Sequence, residues 1–227
     1  MGKDKLRKWN ENATFSHVFE PDLKDIVDGA TLHRGEWGKR VFGNDRPITL
    51  ELGCGKGEYT VGLARRHPDR NFIGVDIKGH RFWRGAKTSQ EEGLANVAFL
   101  RTKIEFVQNF FGPDEVSEIW LTFSDPQPKD DRGTKRITSE VFLRRYQHFV
   151  QPGGLIHVKS DSELLYELSK AGWEEAGFPI LEDSRDVYGD LVHRVDGNFA
   201  DVLRIRTYYE SRWLEEGKNI HYLRTRA

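Results

Sequence analysis

An α/β fold, with a mostly parallel sheet and helices on both faces, is what this sequence predicts, and three observations predict it. Between residues 48 and 176, short apolar runs of four to six residues alternate with longer stretches of helical period. Each apolar run stops at a glycine-rich or polar turn, as buried parallel strands do. The chain is also long enough, at 227 residues, for one large domain of this kind with a terminal addition. Residues 1–46 read as a partly helical N-terminal extension and residues 47–227 as the single α/β domain.

The elements follow in order. Ile48 to Leu52 is the first strand, and it stops at the turn Gly53-Cys-Gly-Lys-Gly57. A helix over Glu58 to His67 ends at Pro68, and Phe72 to Asp76 is the second strand. A helix from Gly79 to Glu92 leads to a third strand, Val97 to Leu100, and Glu118 to Phe123 is a fourth. The loop Ser124 to Thr138 is rich in Pro, Gly and charge. The next helix, Ser139 to Val150, has Val141, Phe142, Tyr146, Phe149 and Val150 on one face. Pro152-Gly-Gly154 turns into a fifth strand, Leu155 to Val158, and a helix over Ser162 to Ala176 closes at Gly177. Strand-like Val202 to Tyr208 and helical Tyr209 to Glu216 complete the pattern.

Composition narrows the function classes. No run of about 18 apolar residues crosses a membrane, and the charged start Met-Gly-Lys-Asp-Lys lacks the apolar stretch of a secretory signal. The single cysteine, Cys54, cannot form an internal disulfide or a Cys-rich zinc site, and the eight histidines show no metal-ligand spacing. A cytoplasmic protein without a metal or a membrane partner is expected. Monomer and homodimer both remain open. The formal net charge of −1 excludes a uniformly basic nucleic-acid binder.

In open parallel sheets ligands bind beyond the carboxyl ends of the strands, so the strand exits are the places to search. At the first lies Glu51-Leu-Gly53-Cys-Gly55-Lys-Gly57. It is neither the dinucleotide fingerprint, since Glu58 stands where a glycine is needed, nor a P-loop. Glu51 beside the loop would repel a pyrophosphate but suits an ammonium group or a hydroxyl. Asp76, about twenty residues on, can accept ribose hydroxyls. These two features together resemble class I S-adenosylmethionine-dependent methyltransferases, whose sheet is Rossmann-like. At the fourth exit, Asp125-Pro-Gln-Pro-Lys129 is stiffened by two prolines that present Asp125 and Lys129.

With that loop the resemblance becomes specific. The chain resembles the bacterial tRNA (guanine-N7)-methyltransferases, which methylate guanine-46 of the tRNA variable loop. The motifs that carry it are Trp37 to Asn44, Leu50 to Gly57, Phe123-Ser-Asp-Pro126, His157-Val-Lys-Ser-Asp161 and Thr207-Tyr-Tyr-Glu210. By position, the resemblance implies S-adenosylmethionine contacts at Glu51, Gly53, Gly55, Asp76, Lys103 and Asp125. It implies tRNA contacts at Lys129, Asp161, Thr207, Tyr208, Tyr209 and Glu210, with Asp125 at the cofactor–substrate boundary. A carboxylate there can stabilise the positive charge the purine gains, which makes Asp125 the candidate catalytic residue. Two positions depart from the family: Gln127 stands where a tryptophan is common, and Lys103 stands at the acidic adenine contact. Lysine cannot accept a bond from an adenine amino group, which leaves the backbone or Glu105 for that contact.

From the residues alone, Trp120 reads as core, Cys54 as a small packing residue, and Tyr208, Tyr209 and Trp213 as anchors of the C-terminal segment. Competing readings are a class I methyltransferase acting on another RNA or a small molecule, and a non-catalytic RNA-binding subunit of this fold. Charge is divided along the chain: residues 1–9, 129–145 and 202–227 each carry +3, whereas 160–201 carries −8. Convergence of the basic segments at the strand exits would give a local footprint for tRNA phosphates.

Overall fold

The computed structural model describes residues 3–22, 32–128 and 130–227. Their main elements, short helical turns aside, are, in order, α1 (Lys3–Asn12), β1 (Val18–Phe19), β2 (Ile48–Leu52), α2 (Glu58–Arg66), β3 (Asn71–Asp76), α3 (Gly79–Glu91) and β4 (Val97–Arg101). There follow β5 (Val116–Thr122), α4 (Glu140–Tyr146), β6 (Val150–Ser160), α5 (Glu163–Glu175), β7 (Glu182–Ser184), α6 (Gly197–Leu203), α7 (Tyr208–Glu215) and β8 (His221–Arg226).

Among the described residues the strands form one eight-stranded sheet in the order β1-β4-β3-β2-β5-β6-β8-β7. Pairing is parallel from β1 through β6, and antiparallel where β8 joins β6 and β7. The chain moves outward from β2 to β3 and β4, then returns to the other side of β2 with β5. That reversal puts the switch point of the sheet at the carboxyl end of β2, where such folds open a crevice. The Gly53–Gly57 turn stands there.

Both sheet faces are apolar, which explains the continuous apolar runs. Leu50, Leu52, Ile73, Val75, Ala98, Leu100, Ile119 and Leu121 pack on one face with Trp37, Phe110 and Phe111. Phe72, Val97, Phe99 and Trp120 alternate with them and pack on the other face with Tyr59, Phe82 and Tyr222. Trp120 is core, as expected, with its ring stacked 4.1 Å from that of His157. Thr49 and Glu51 are the polar positions of β2 on the Trp120 face, so Glu51 lies beneath α2. Close approach of α3 to the start of α2 is bought with glycine: a Cβ on Gly85 would stand 3.0 Å from Gly57 Cα and 2.8 Å from Lys56 O.

Several expectations change. Residues 202–208 are not a strand: Val202 and Leu203 end α6, and Tyr208 begins α7. The helix expected to reach Val150 ends at Tyr146, because Val150 pairs with Val116 as the start of β6. Its expected apolar face is therefore shorter, and Val141 is exposed while Phe142, Leu143 and Tyr146 are buried. Part of the N-terminal segment is built into the domain: β1 pairs with β4, Trp37 is fully buried, and Glu11 accepts from Trp83 Nε1 and Lys87 on α3. Among the described residues no helix is long and apolar enough to cross a membrane.

Candidate active site

The turn after β2 is shaped by three glycines in the left-handed region, Gly53, Gly55 and Gly57, with φ of 79°, 54° and 74°. Val75 O on β3 accepts from the backbone N–H of Gly53 and Cys54 at 2.8 and 3.0 Å. Asp76, at the end of β3, braces the same turn. Its Oδ2 accepts from Gly55 N at 3.0 Å and its Oδ1 from Lys78 N at 2.8 Å. Each carboxylate oxygen keeps a second lone pair for a ligand.

Glu51 is 2% exposed. Its Oε1 accepts from Thr122 Oγ1 at 2.6 Å on β5, and its Oε2 accepts from Thr60 N at 2.8 Å and from the Thr60 hydroxyl on α2. Burial pushes the carboxyl up to about 7, against the opposing pull of those three donors. An arriving cation would stabilise the ionised form. Cys54 is buried in the same turn, and burial lifts its thiol well above the usual range, consistent with a packing role.

Two cavities flank the turn, both bordered by Gly53. The larger, about 710 Å3, is lined by Glu51, Gly53–Lys56 and Thr122, with Lys8, Trp83, Thr207, Tyr209 and Trp213 around its rim. The smaller, about 340 Å3, is lined by Asp76, Thr102, Lys103, Ile104, Glu105 and Phe142. At the β5 exit Phe123 and Gln127 both have positive φ, 51° and 46°, an unusual cost for non-glycine residues that marks a constrained loop. Asp125 is exposed there, and its Oδ1 accepts from Gln127 N at 2.9 Å. Arg136 Nε donates to Pro126 O at 2.9 Å and ties the loop down. Buried without partners at the two strand exits are Thr102 Oγ1 and Ser124 Oγ, among the described residues.

The rim helix α7 begins with a capping box. Thr207 Oγ1 accepts from Glu210 N at 3.2 Å, and Glu210 Oε2 accepts from Thr207 N at 3.3 Å. Glu210 is completely buried, its Oε1 lies 2.7 Å from the ammonium of Lys159, and it accepts from Tyr188 Oη at 2.7 Å. Burial draws the Lys159 ammonium below the ordinary lysine range, and Glu210 pulls it back up. Tyr209 is half exposed and lines the larger cavity, whereas Tyr208, equally exposed, does not line it and has Lys56 Nζ 3.9 Å from its ring centroid. Trp213 lies between the ring of Tyr209, 5.9 Å away, and that of Phe123, 5.2 Å away.

The structure thus gathers Glu51, Gly53, Gly55, Thr207 and Tyr209 around one cavity and Asp76 with Lys103 around the other. Asp125 stands exposed at the β5 exit, and Asp161 is half-buried at the β6 exit with its carboxyl raised by desolvation. Lys129 lies outside the described residues. Glu210, expected to touch substrate, faces the protein interior instead. Sequence reasoning missed Thr60 and Thr122 as the partners of Glu51, Lys8 and Lys56 at the rim, and Lys159 beneath it. One signal was available: Thr207-Tyr-Tyr-Glu210 has the spacing of a capping box. Among the described residues no group of three or more His, Cys, Asp or Glu side chains could hold a metal ion.

Comparison with known proteins places the chain in a family and supports the fold. Residues 45–223 match the family described as "Putative methyltransferase". A tRNA (guanine-N(7)-)-methyltransferase of Bacteroides thetaiotaomicron is 49% identical over 100% of this chain and 86% of its own. One of Christiangramia forsetii is 47% identical over 98% of this chain and 97% of its own. Among solved structures, the 16S rRNA methyltransferase KamB aligns with a TM-score of 0.59 at 15% identity, over 83% of this chain and 91% of its own, and so shares the fold. The chain belongs to the tRNA (guanine-N(7)-)-methyltransferase family.

Proposed function

We propose that the protein transfers a methyl group from S-adenosylmethionine to N7 of guanine-46 in the tRNA variable loop, giving 7-methylguanosine in the cytoplasm. The observation that carries this reading is the pair of cavities at the switch point, both bordered by Gly53, with a buried carboxylate in each. The residues present fit the methyl donor. Glu51 in the larger cavity matches an ammonium group, and the free lone pairs of Asp76 match ribose hydroxyls. Thr102, whose buried hydroxyl has no partner, lines the smaller cavity and is a polar group that a bound molecule can satisfy. Glu105 or the backbone beside Lys103 is the acceptor available to an adenine amino group.

S-adenosylmethionine supplies the methyl group as an electrophile on sulfonium sulfur. Guanine N7 carries a free lone pair and no proton, so the protein needs no general base. Its tasks are to orient the base and to stabilise the positive charge that the purine gains. Asp125 is the carboxylate for the second task. The Gln127 N–H, the two flanking prolines and the Arg136 contact hold it in place before the base arrives. Asp161 and Lys129 contact the nucleotide, while Tyr208 and Tyr209 offer exposed ring faces for an unstacked base. Thr207 and Glu210 serve the substrate through the helix they start, by fixing where those rings stand.

The test is nucleoside analysis of tRNA reacted with the protein and S-adenosylmethionine. 7-Methylguanosine as the product supports the reading, and any other methylated nucleoside removes it.

A further inference from the structure

A second groove, of about 390 Å3, runs between α2, α3 and the segment after α6. Six cations line it: Lys56, Arg65, Arg66, Arg84, Arg204 and Arg206, against one carboxylate, Glu58. Glu58 is already engaged, since its Oε2 accepts from Tyr208 N at 3.0 Å. Arg65, Arg84 and Arg204 are paired with Glu92, Glu91 and Asp201, exposed ion pairs of the kind that contribute little and rearrange readily. Lys56, Arg66 and Arg206 have no acidic partner within 4.0 Å among the described residues. Arg66 donates only to Gly62 O, while Lys56 and Arg206 lie over the rings of Tyr208 and Tyr188. In a chain of net charge −1 this is a strong local excess.

The groove adjoins the larger cavity, and Lys56, Glu58 and Arg84 line both. We propose that it is a track for RNA backbone phosphates, holding the strand that flanks the target nucleotide while the base enters the cavity. The inference rests on the proposed tRNA substrate. Cations spread along an open groove suit a chain of phosphates, whereas a single small anion calls for donors that converge on one point. Only two of the six, Arg204 and Arg206, come from the segments whose charge excess the sequence shows; the other four are brought in by the glycine turn, α2 and α3.

The experiment compares the intact protein with Arg66→Glu/Arg204→Glu and with the milder Arg66→Ala. Binding of a transcribed tRNA is followed by fluorescence anisotropy from about 50 to 200 mM salt, a range over which phosphate contacts dominate the change in affinity. The double variant is expected to bind at least about tenfold more weakly at the low end, with a log K against log salt slope shallower by roughly one to two. Arg66→Ala is expected to move both quantities in the same direction, with a slope change of about 0.7–0.9. S-adenosylmethionine affinity by calorimetry should stay at the wild-type value in all three, which verifies the fold. Wild-type tRNA affinity and slope in both variants, with cofactor affinity intact, would overturn the track. Binding is read without turnover, so a wild-type protein that holds tRNA yet makes no 7-methylguanosine counts against the proposed reaction and not against the groove.

Discussion

The ammonium of Lys159 lies 2.7 Å from the carboxylate of Glu210, and neither side chain reaches solvent. Lys159 also donates to Leu203 O at 2.6 Å and to Ile205 O at 3.1 Å. One lysine on β6 thereby ties the end of α6 and the start of α7 to the sheet. The helix it anchors carries Tyr209 and Trp213 to the larger cavity.

Removing one partner leaves an uncompensated buried charge. Lys159→Met and Glu210→Ala are each expected to cost about 3–5 kcal/mol, and the double variant Lys159→Met/Glu210→Ala less than the sum of its singles. Thr207→Ala, which removes only the cap, should cost about 1 kcal/mol. Urea unfolding of the four variants measures this. A Glu210→Ala protein as stable as wild type would show that the pair does not anchor the helix.

Glu51 sets a pH dependence. Its folded-state carboxyl is raised from 4.5 to about 7, so the folded protein binds the extra proton between those values. Its contribution to stability is full below about pH 4.5 and falls as pH rises to about 7, by roughly 3 kcal/mol. The difference between wild type and Glu51→Gln should decline across that window and level off above it. Cofactor affinity should run the other way, because a cation favours the ionised carboxylate. It should weaken about tenfold per pH unit below pH 7 in wild type and much less in Glu51→Gln. Calorimetry at several pH values reads both, and identical profiles for the two proteins would remove Glu51 from cofactor binding.

Asp125 has two separable jobs, holding the loop and placing a charge. Asp125→Asn keeps an oxygen to accept from Gln127 N but removes the charge, whereas Asp125→Ala removes both. Each should lower kcat by about 10²–10³ if charge stabilisation is the main task. A near-wild-type Asp125→Asn beside an inactive Asp125→Ala would assign the residue to loop structure instead.

Tyr209 is half exposed and backed by the Trp213 ring at 5.9 Å. If it stacks on a base, Tyr209→Ala should weaken tRNA binding by about 1–3 kcal/mol, while Tyr209→Phe keeps it. Equal losses in both variants would point to the hydroxyl and not the ring.

Much of this was legible in the sequence, for physical reasons. The strands of β2 through β5 are covered on both faces, so their apolar runs are continuous, and the glycine turn reports its own backbone conformation. Val202 to Ile205 misled because apolar residues at short spacing fit a helix end as well as a strand. Asp76 and the Asp125 loop sit at strand exits, where sequence position fixes location. The place of Glu51 beside the glycine turn was legible, but its burial was not, since that depends on α2 lying over it. Glu210 was misplaced for the same reason: a carboxylate in a motif says nothing of which way the helix turns it, and its partner Lys159 is 51 residues away. The basic groove was invisible because its cations come from four separate segments.

The most direct measurement uses two transcripts of one tRNA, differing only in whether nucleotide 46 is guanine or adenine. Both are incubated with the protein and methyl-labelled S-adenosylmethionine, then digested to nucleosides. Label is expected as 7-methylguanosine from the first transcript and none from the second. Equal label from both, or label in a different nucleoside, would contradict the proposed function.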